Sequence, residues 1–373
     1  MTLATVPAMV NAHSHAFQLD LRGIGERPSR PDDDFWSWRT AMFALARGLD
    51  PDGMRDVAGR CYAEMAAAGY GAVGEFHYVH HRPDGTPYET PNAMAIAVAE
   101  AAVAAGLRIV LLPAAYHRNG WDGADRPPQA GQRRFCDPDV GTFLRRVDAL
   151  RGWAATRADD RVTVGLAAHS VRAVPASWLQ AIGAHAREHD LVLHVHAHEQ
   201  RRELAECDAE HGCTPIELLA RCGVLGERTS VVHGIHVTDA DVDLLARSGS
   251  IVVSCPTTEG NLGDGFLPAL RYRDAGVRLA IGSDSQVRVD PFEEVRELET
   301  GARREGQTRH ALLAATRDLW GELVANGCAA LGLADAGTVA VDLDHPDLRG
   351  VAEADLPYAL ATCASAGVVA RAA

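Results

Sequence analysis

The chain is predicted to fold as a (β/α)8 barrel, and three observations predict it. Eight short β-branched runs recur along the sequence, alanine- and leucine-rich helical patterns lie between most of them, and glycines close several of those helices. The runs are residues 6–15, 71–79, 108–116, 161–170, 191–199, 229–237, 250–258 and 278–285. The helical patterns cover 54–68, 93–105, 140–155, 176–188, 216–221 and 239–248. Gly69, Gly106, Gly223, Gly249 and Gly276 stand where left-handed caps are expected. A length of 373 residues suits one large barrel with insertions; an open doubly wound sheet is the alternative arrangement.

Two regions break the rhythm. Residues 17–51, with Asp32-Asp33-Asp34 and Phe35-Trp36-Ser37-Trp38-Arg39, form a long insertion after the first strand, placed to cover the barrel mouth. Residues 118–138 form a loop rich in Gly, Pro and Arg, and 337–343 reads as one further strand before an alanine-rich tail. The sequence shows no internal repeat.

Composition narrows the function classes. A formal net charge of −14 argues against nucleic acid or an anionic membrane surface as partner, since both ask for a basic face. No stretch approaches the roughly 18 apolar residues of a membrane span, and residues 1–10 lack the basic start and cleavage site of a signal peptide, so a cytoplasmic location is expected. Eight cysteines without a C-x-x-C pair read as buried reduced thiols. All 36 basic residues are arginine, which excludes Schiff-base lysine chemistry, a phosphate-loop lysine and a carboxylated lysine bridging two metals.

In such a barrel chemistry gathers at the C-terminal ends of the strands. Polar residues collect there: His13 and His15 on the first strand, Glu75, His77 and Tyr78 on the second, His169, Ser170 and Arg172 on the fourth. The fifth contributes His194, His196, His198 and Glu199, the sixth His233 and His236, and the eighth Asp284. An H-x-H on a strand turns both imidazoles to one face. With one more imidazole and a carboxylate it makes a mixed N/O set for zinc, or for iron or manganese. Residues 194, 196 and 198 share a face and differ only in depth, by about 6–7 Å per step of two, so pattern alone leaves the fifth-strand ligand open. With no lysine to bridge, one metal is expected rather than two.

Several separate motifs then carry a resemblance over about residues 7–343: Val10-Asn11-Ala12-His13-Ser14-His15-Ala16-Phe17-Gln18, Phe35-Trp36-Ser37-Trp38-Arg39, Glu75-Phe76-His77-Tyr78-Val79-His80-His81, His169-Ser170-Val171-Arg172-Ala173-Val174, Cys255-Pro256-Thr257-Thr258-Glu259-Gly260-Asn261-Leu262 and Gly282-Ser283-Asp284-Ser285-Gln286. The chain resembles the formimidoylglutamate deiminases of the mononuclear amidohydrolase superfamily. That resemblance implies one divalent metal on His13, His15, His196 and Asp284. It also implies Glu199 as proton shuttle, His233 as the group that positions the attacking water, Asp284 as a further catalytic group, and substrate contacts at Gln18, Arg39, Tyr78, His169 and Arg172. The implied reaction is deimination of N-formimino-L-glutamate to N-formyl-L-glutamate and ammonia by a metal-bound hydroxide, with a small dicarboxylate amidine as partner and a homodimer as assembly. The alternatives are a deiminase of another N-formimino compound or amidine, a nucleobase aminohydrolase, and a non-catalytic binding protein on the same barrel. By the same resemblance, residues 1–336 form the catalytic barrel and 337–373 a remnant of the C-terminal half of a small β-sandwich. Relatives begin with several strands before the H-x-H, whereas only about ten residues precede His13 here.

Overall fold

The computed structural model describes residues 2–28, 31–314 and 318–370. Eleven strands are present among them. The first predicted run, 6–15, is mostly β2 (Met9–Ser14); β1 (Leu3–Pro7) starts before it and takes only its Val6 and Pro7, because Pro7 has no N–H to continue a ladder and the chain changes sheets at Ala8. β3 is Tyr70–His77, β4 Arg108–Ala115, β5 Val162–Val164, β6 Leu166–Ser170 and β7 Leu193–Ala197. β8 is Thr229–His233, β9 Ile251–Ser254, β10 Leu279–Ile281 and β11 Thr338–Asp342.

Strands β2 to β10 form one parallel sheet in sequence order, with β5 and β6 both beside β4. These two short strands jointly fill the fourth barrel position, where one run over 161–170 is predicted. They meet at Gly165, where a Cβ would lie 2.7 Å from the Val192 carbonyl oxygen. The barrel closes between the end of β10 and β2: the Ser283 and Asp284 amides donate to the His13 carbonyl at 3.1 and 3.0 Å, and the His15 amide donates to the Asp284 carbonyl at 3.0 Å. The predicted (β/α)8 architecture is therefore the observed one. Strand and helix side chains around this barrel merge into one large buried cluster.

Helices predicted over 140–155, 176–188 and 239–248 occur with those bounds. Asp139 and Thr238 accept from backbone amides at two of their starts. All five glycines expected to cap helices have positive φ. The insertion holds a short 3-10 turn, Ala16–Leu21, and a helix, Phe35–Arg47, opened by a capping box between Asp34 and Ser37. The predicted run over 250–258 ends early, since Pro256 starts a helix, Pro256–Leu262, in place of further strand. β7 and β8 also stop before the predicted 199 and 237, turning at His198 and His233 with φ of 60° and 76°.

β1 pairs antiparallel with β11 in a separate two-stranded ribbon, tied to the barrel by the Trp320 indole N–H donating to the Pro7 carbonyl at 2.9 Å. No helix among the described residues is long and apolar enough to cross a membrane. All eight cysteines are free; six are buried as expected, whereas Cys136 is half-buried and Cys363 is exposed.

Candidate active site

β2 delivers His13 and His15, β7 delivers His196, and Asp284 arrives at the closing seam three residues past β10. One donor atom from each lies within 4.8 Å of the others, and all four side chains are buried. The backbone fixes two of the tautomers. His15 Nδ1 lies 2.8 Å from the Phe76 carbonyl and His196 Nδ1 lies 2.8 Å from the His169 carbonyl. A carbonyl only accepts, so each Nδ1 carries the hydrogen and each Nε2 presents a bare lone pair to the centre. There His196 Nε2 stands 3.0 Å from His13 Nε2, and Asp284 Oδ1 stands 3.5 and 3.3 Å from the Nε2 atoms of His13 and His15. Burial holds the His13 pKa down at about 3, and lowers those of His15 and His196, so the imidazoles are neutral ligands. Burial raises the Asp284 carboxyl, but the His13 hydrogen bond and the neighbouring imidazoles outweigh it and keep it below the usual range. Three neutral imidazoles and one carboxylate converging in a dry site are the donor set of a divalent cation.

Pattern left the fifth-strand ligand open, and the geometry separates its members. His194 Nε2 turns to the Ala330 carbonyl at 2.9 Å. His198 is spent on structure, donating from Nδ1 to the His236 carbonyl at 2.9 Å and accepting the Ile216 amide on Nε2 at 3.2 Å. Only His196 of the three joins the cluster. On β3 the inward ring beside His13 and His196 is Phe76, while Glu75 accepts from the Ser14 hydroxyl at 2.7 Å and the Ala16 amide at 2.8 Å. His77 and His236 lie on the predicted rim yet line neither cavity at the mouth.

Next to the donor set, His233 presents Nε2 at 3.8 Å from both Glu199 Oε1 and Asp284 Oδ2. Its Nδ1 lies 3.3 Å from Glu259 Oε1, and Glu259 is itself held by the Cys255 amide at 2.7 Å and the Ser254 hydroxyl at 2.8 Å. Burial alone would lower the His233 pKa; the Glu199, Glu259 and Asp284 carboxylates outweigh it and raise it to about 10. Burial raises Glu199, against the opposing pull of His233 and Arg172. His198, His233 and Asp284 all have positive φ, a conformation that costs a non-glycine residue on the order of 1 kcal/mol or more and that gathers at working sites.

A small inner cavity joins these groups to the predicted substrate contacts. Gln18, Arg39, Tyr78, His169 and Arg172 line it together with His15, His196, Glu199, His233 and Asp284. The helix Phe35–Arg47 roofs it with Phe35, Trp38, Arg39, Met42 and Phe43. Gln18 donates to the Tyr78 hydroxyl at 2.9 Å. Arg39, Tyr116, His169 and Arg172 also face an outer cavity of about 250 Å³. The two arginines differ in how they are balanced. Arg172 lies 3.3 Å from both Glu199 and Glu203, whereas Arg39 donates to the neutral Asn119 at 2.8 Å, and no carboxylate among the described residues lies within ion-pairing distance of it. Burial lowers the Arg39 pKa.

Four participants carry no sequence prediction. Glu203 is fully buried and links Arg172 to the His198 amide. Tyr116 and Asn119 hold Arg39. Glu259 stands inside a quoted motif, Cys255 to Leu262, and its partner His233 becomes apparent only in three dimensions.

The family model described as the amidohydrolase family matches residues 4–342. A formimidoylglutamate deiminase of Pseudomonas aeruginosa is 39% identical over 334 residues, covering 88% of this chain and 72% of the relative. Among solved structures, an amidohydrolase from Brucella melitensis superposes with a TM-score of 0.88 at 33% identity, over 98% of this chain and 84% of that one. An adenosine deaminase from Xanthomonas campestris with bound zinc superposes with a TM-score of 0.79 at 25% identity, over 98% and 78%.

Proposed function

The chain belongs to the amidohydrolase family, and from that premise we propose that it hydrolyses N-formimino-L-glutamate to N-formyl-L-glutamate and ammonia. The observation that carries the reading is the pair of guanidiniums, Arg39 half-buried and Arg172 buried, at the mouth of the donor set. A guanidinium that is largely desolvated and meets no carboxylate is costly unless a ligand supplies the anion. Arg39 is such a group, and Arg172, although paired with Glu199 and Glu203, faces the same cavity, so that a substrate with two carboxylates can meet a guanidinium at each end.

His13, His15, His196 and Asp284 would hold the metal, read as zinc because the zinc-bound deaminase shares this fold. When bound, the ion acidifies a water to a pKa of about 7 and so makes a nucleophile available at neutral pH. Glu199 takes the proton that the water gives up and passes it to the leaving nitrogen, a role worth typically about 10²–10⁴-fold. Oxygen joins the amidine carbon, the carbon to nitrogen bond breaks, ammonia departs, and a formyl amide remains. Asp284 and His233 flank the water; their 3.8 Å separation is bridged better by a water than by a direct hydrogen bond. Glu259 keeps the hydrogen on His233 Nδ1 and fixes its ring. Gln18, Tyr78 and His169 orient the substrate beside the arginines.

An adenosine-type ring is the second reading, favoured by the deaminase structure; the unbalanced Arg39 counts against a neutral ligand. Binding of the product N-formyl-L-glutamate by calorimetry separates them. Arg39→Met is expected to weaken it by at least about tenfold, as one lost charge-assisted contact of about 1.5–3 kcal/mol does. Equal affinity in wild type and variant would overturn the dicarboxylate reading.

The β1 and β11 ribbon is read as part of a small accessory β-sandwich, supported by its antiparallel pairing apart from the parallel barrel sheet. A cytoplasmic setting is supported by eight unpaired thiols. A homodimer is the assembly proposed, on the family resemblance alone.

A further inference from the structure

Far from the reaction, on the outer wall of the barrel, a second set of metal donors converges. The helix Ala176–Glu188 brings His185 in its last turn, and His189 caps it four residues on. Residues so spaced lie on one side of a helix. The two imidazoles pack with centroids 4.4 Å apart and planes at 61°. The third donor comes from the neighbouring helix Val140–Ala155, whose Asp148 places Oδ1 at 3.2 Å from His185 Nε2. One donor atom from each of the three lies within 4.8 Å of the others.

We infer that Asp148, His185 and His189 form a second divalent-metal site, separate from the barrel centre, that takes one zinc-class ion in an N2O donor set open to water. Three physical points support it. Two ligands held about 2.0–2.1 Å from one tetrahedral zinc stand about 3.3–3.4 Å apart, and the Asp148 to His185 separation is 3.2 Å before any ion enters. The site also lies at the C-terminal end of a helix, where the partial negative charge of the last carbonyls favours a cation. Finally, two imidazoles with a carboxylate match what zinc, nickel and copper prefer, whereas calcium and magnesium ask for oxygen alone. One competitor is present: Arg151 donates to the same Asp148 oxygen at 3.0 Å, a half-exposed pair that solvent screens. An ion here joins the two helices that stand before and after the fourth barrel position in the chain.

The test uses full-length protein stripped with a chelator and then dialysed against zinc chloride, with bound zinc counted by mass spectrometry. Wild type is expected to take two ions per chain, one for each donor group, and His189→Ala and Asp148→Asn to take one. His196→Ala, which disables only the barrel centre, should keep the outer ion. The outer affinity in His189→Ala should fall at least about tenfold, as loss of a direct ligand exceeds the 10–100-fold effects of supporting residues. A rise of melting temperature on adding the second equivalent should appear in wild type and vanish in His189→Ala. Equal zinc content and equal melting shift in wild type and both outer-site variants would overturn the proposal, and that result is independent of whether the barrel centre acts on formimino compounds.

Discussion

Two residues at the reaction centre carry the sharpest predictions, because their neighbours leave them different tasks. Glu199 touches no metal-directed lone pair; it stands between Arg172 and His233. Glu199→Gln keeps shape and removes the base. It should retain full metal content and lose turnover by about 10²–10⁴-fold; metal analysis beside steady-state kinetics reads both. Normal turnover would remove the proton-transfer role. Arg172→Ala should act on binding, raising KM far more than it lowers kcat, and Arg172→Lys should not restore it, since an ammonium cannot span Glu199, Glu203 and a substrate carboxylate as a planar fork does. At this scale the sequence was informative wherever period two on a strand fixed direction, as for His13 and His15. It was silent about partners such as Glu203, Tyr116 and Asn119, whose positions depend on which loop and helix reach the mouth from elsewhere in the chain.

The elements around the mouth set how well those residues are placed. The helix Phe35–Arg47 carries Arg39, and its first turn depends on Asp34, which accepts the Trp36 and Ser37 amides. Asp34→Ala should cost about 1 kcal/mol of local helix stability and appear as a raised KM with an unchanged global melting temperature; an unchanged KM would show that packing alone holds Arg39. At the other end Arg134, almost fully buried, donates to the Leu49 carbonyl at 2.8 Å and to the Ala46 and His81 carbonyls. That explains why the His80-His81 motif belongs to this architecture although neither ring lines the site. The helices 140–155, 176–188 and 239–248 are legible to their bounds in the sequence, whereas Pro51–Ala68 starts three residues before its predicted 54 although Asp50 caps it. Helix Phe35–Arg47 is legible in the sequence only as part of an insertion, because two tryptophans, a phenylalanine and flanking prolines mask its periodicity. In the first run Pro7 marks where a ladder can break, but a lone proline does not say that the strands on its two sides join different sheets.

At the scale of the whole molecule, barrel closure and site assembly are one event. The amides of Ser283 and Asp284 close the sheet on the His13 carbonyl, and Asp284 thereby reaches the histidines. Behind this seam Glu75 is buried with its pKa raised to about 7 by desolvation, against the Ser14 and Ala16 hydrogen bonds that lower it. A carboxyl whose folded pKa exceeds its unfolded value binds its proton more tightly when folded, so its contribution is fully present below about 4.5 and is lost as pH rises toward and through 7. Glu75→Gln should therefore flatten the fall of stability across that window, by about 3 kcal/mol at most; an unchanged slope in urea melts at pH 4.5 and 7.5 would place the titration elsewhere. Arg39 and Arg172 both face the substrate cavity, and the most direct measurement of what enters it is ammonia release by zinc-loaded protein. The panel is N-formimino-L-glutamate, N-formimino-L-aspartate, N-formimino-glycine and adenosine. Greatest kcat/KM on N-formimino-L-glutamate, with the glycine compound slower by at least about tenfold for want of its second carboxylate, is the predicted result. Ammonia from adenosine and none from any formimino dicarboxylate would contradict the account.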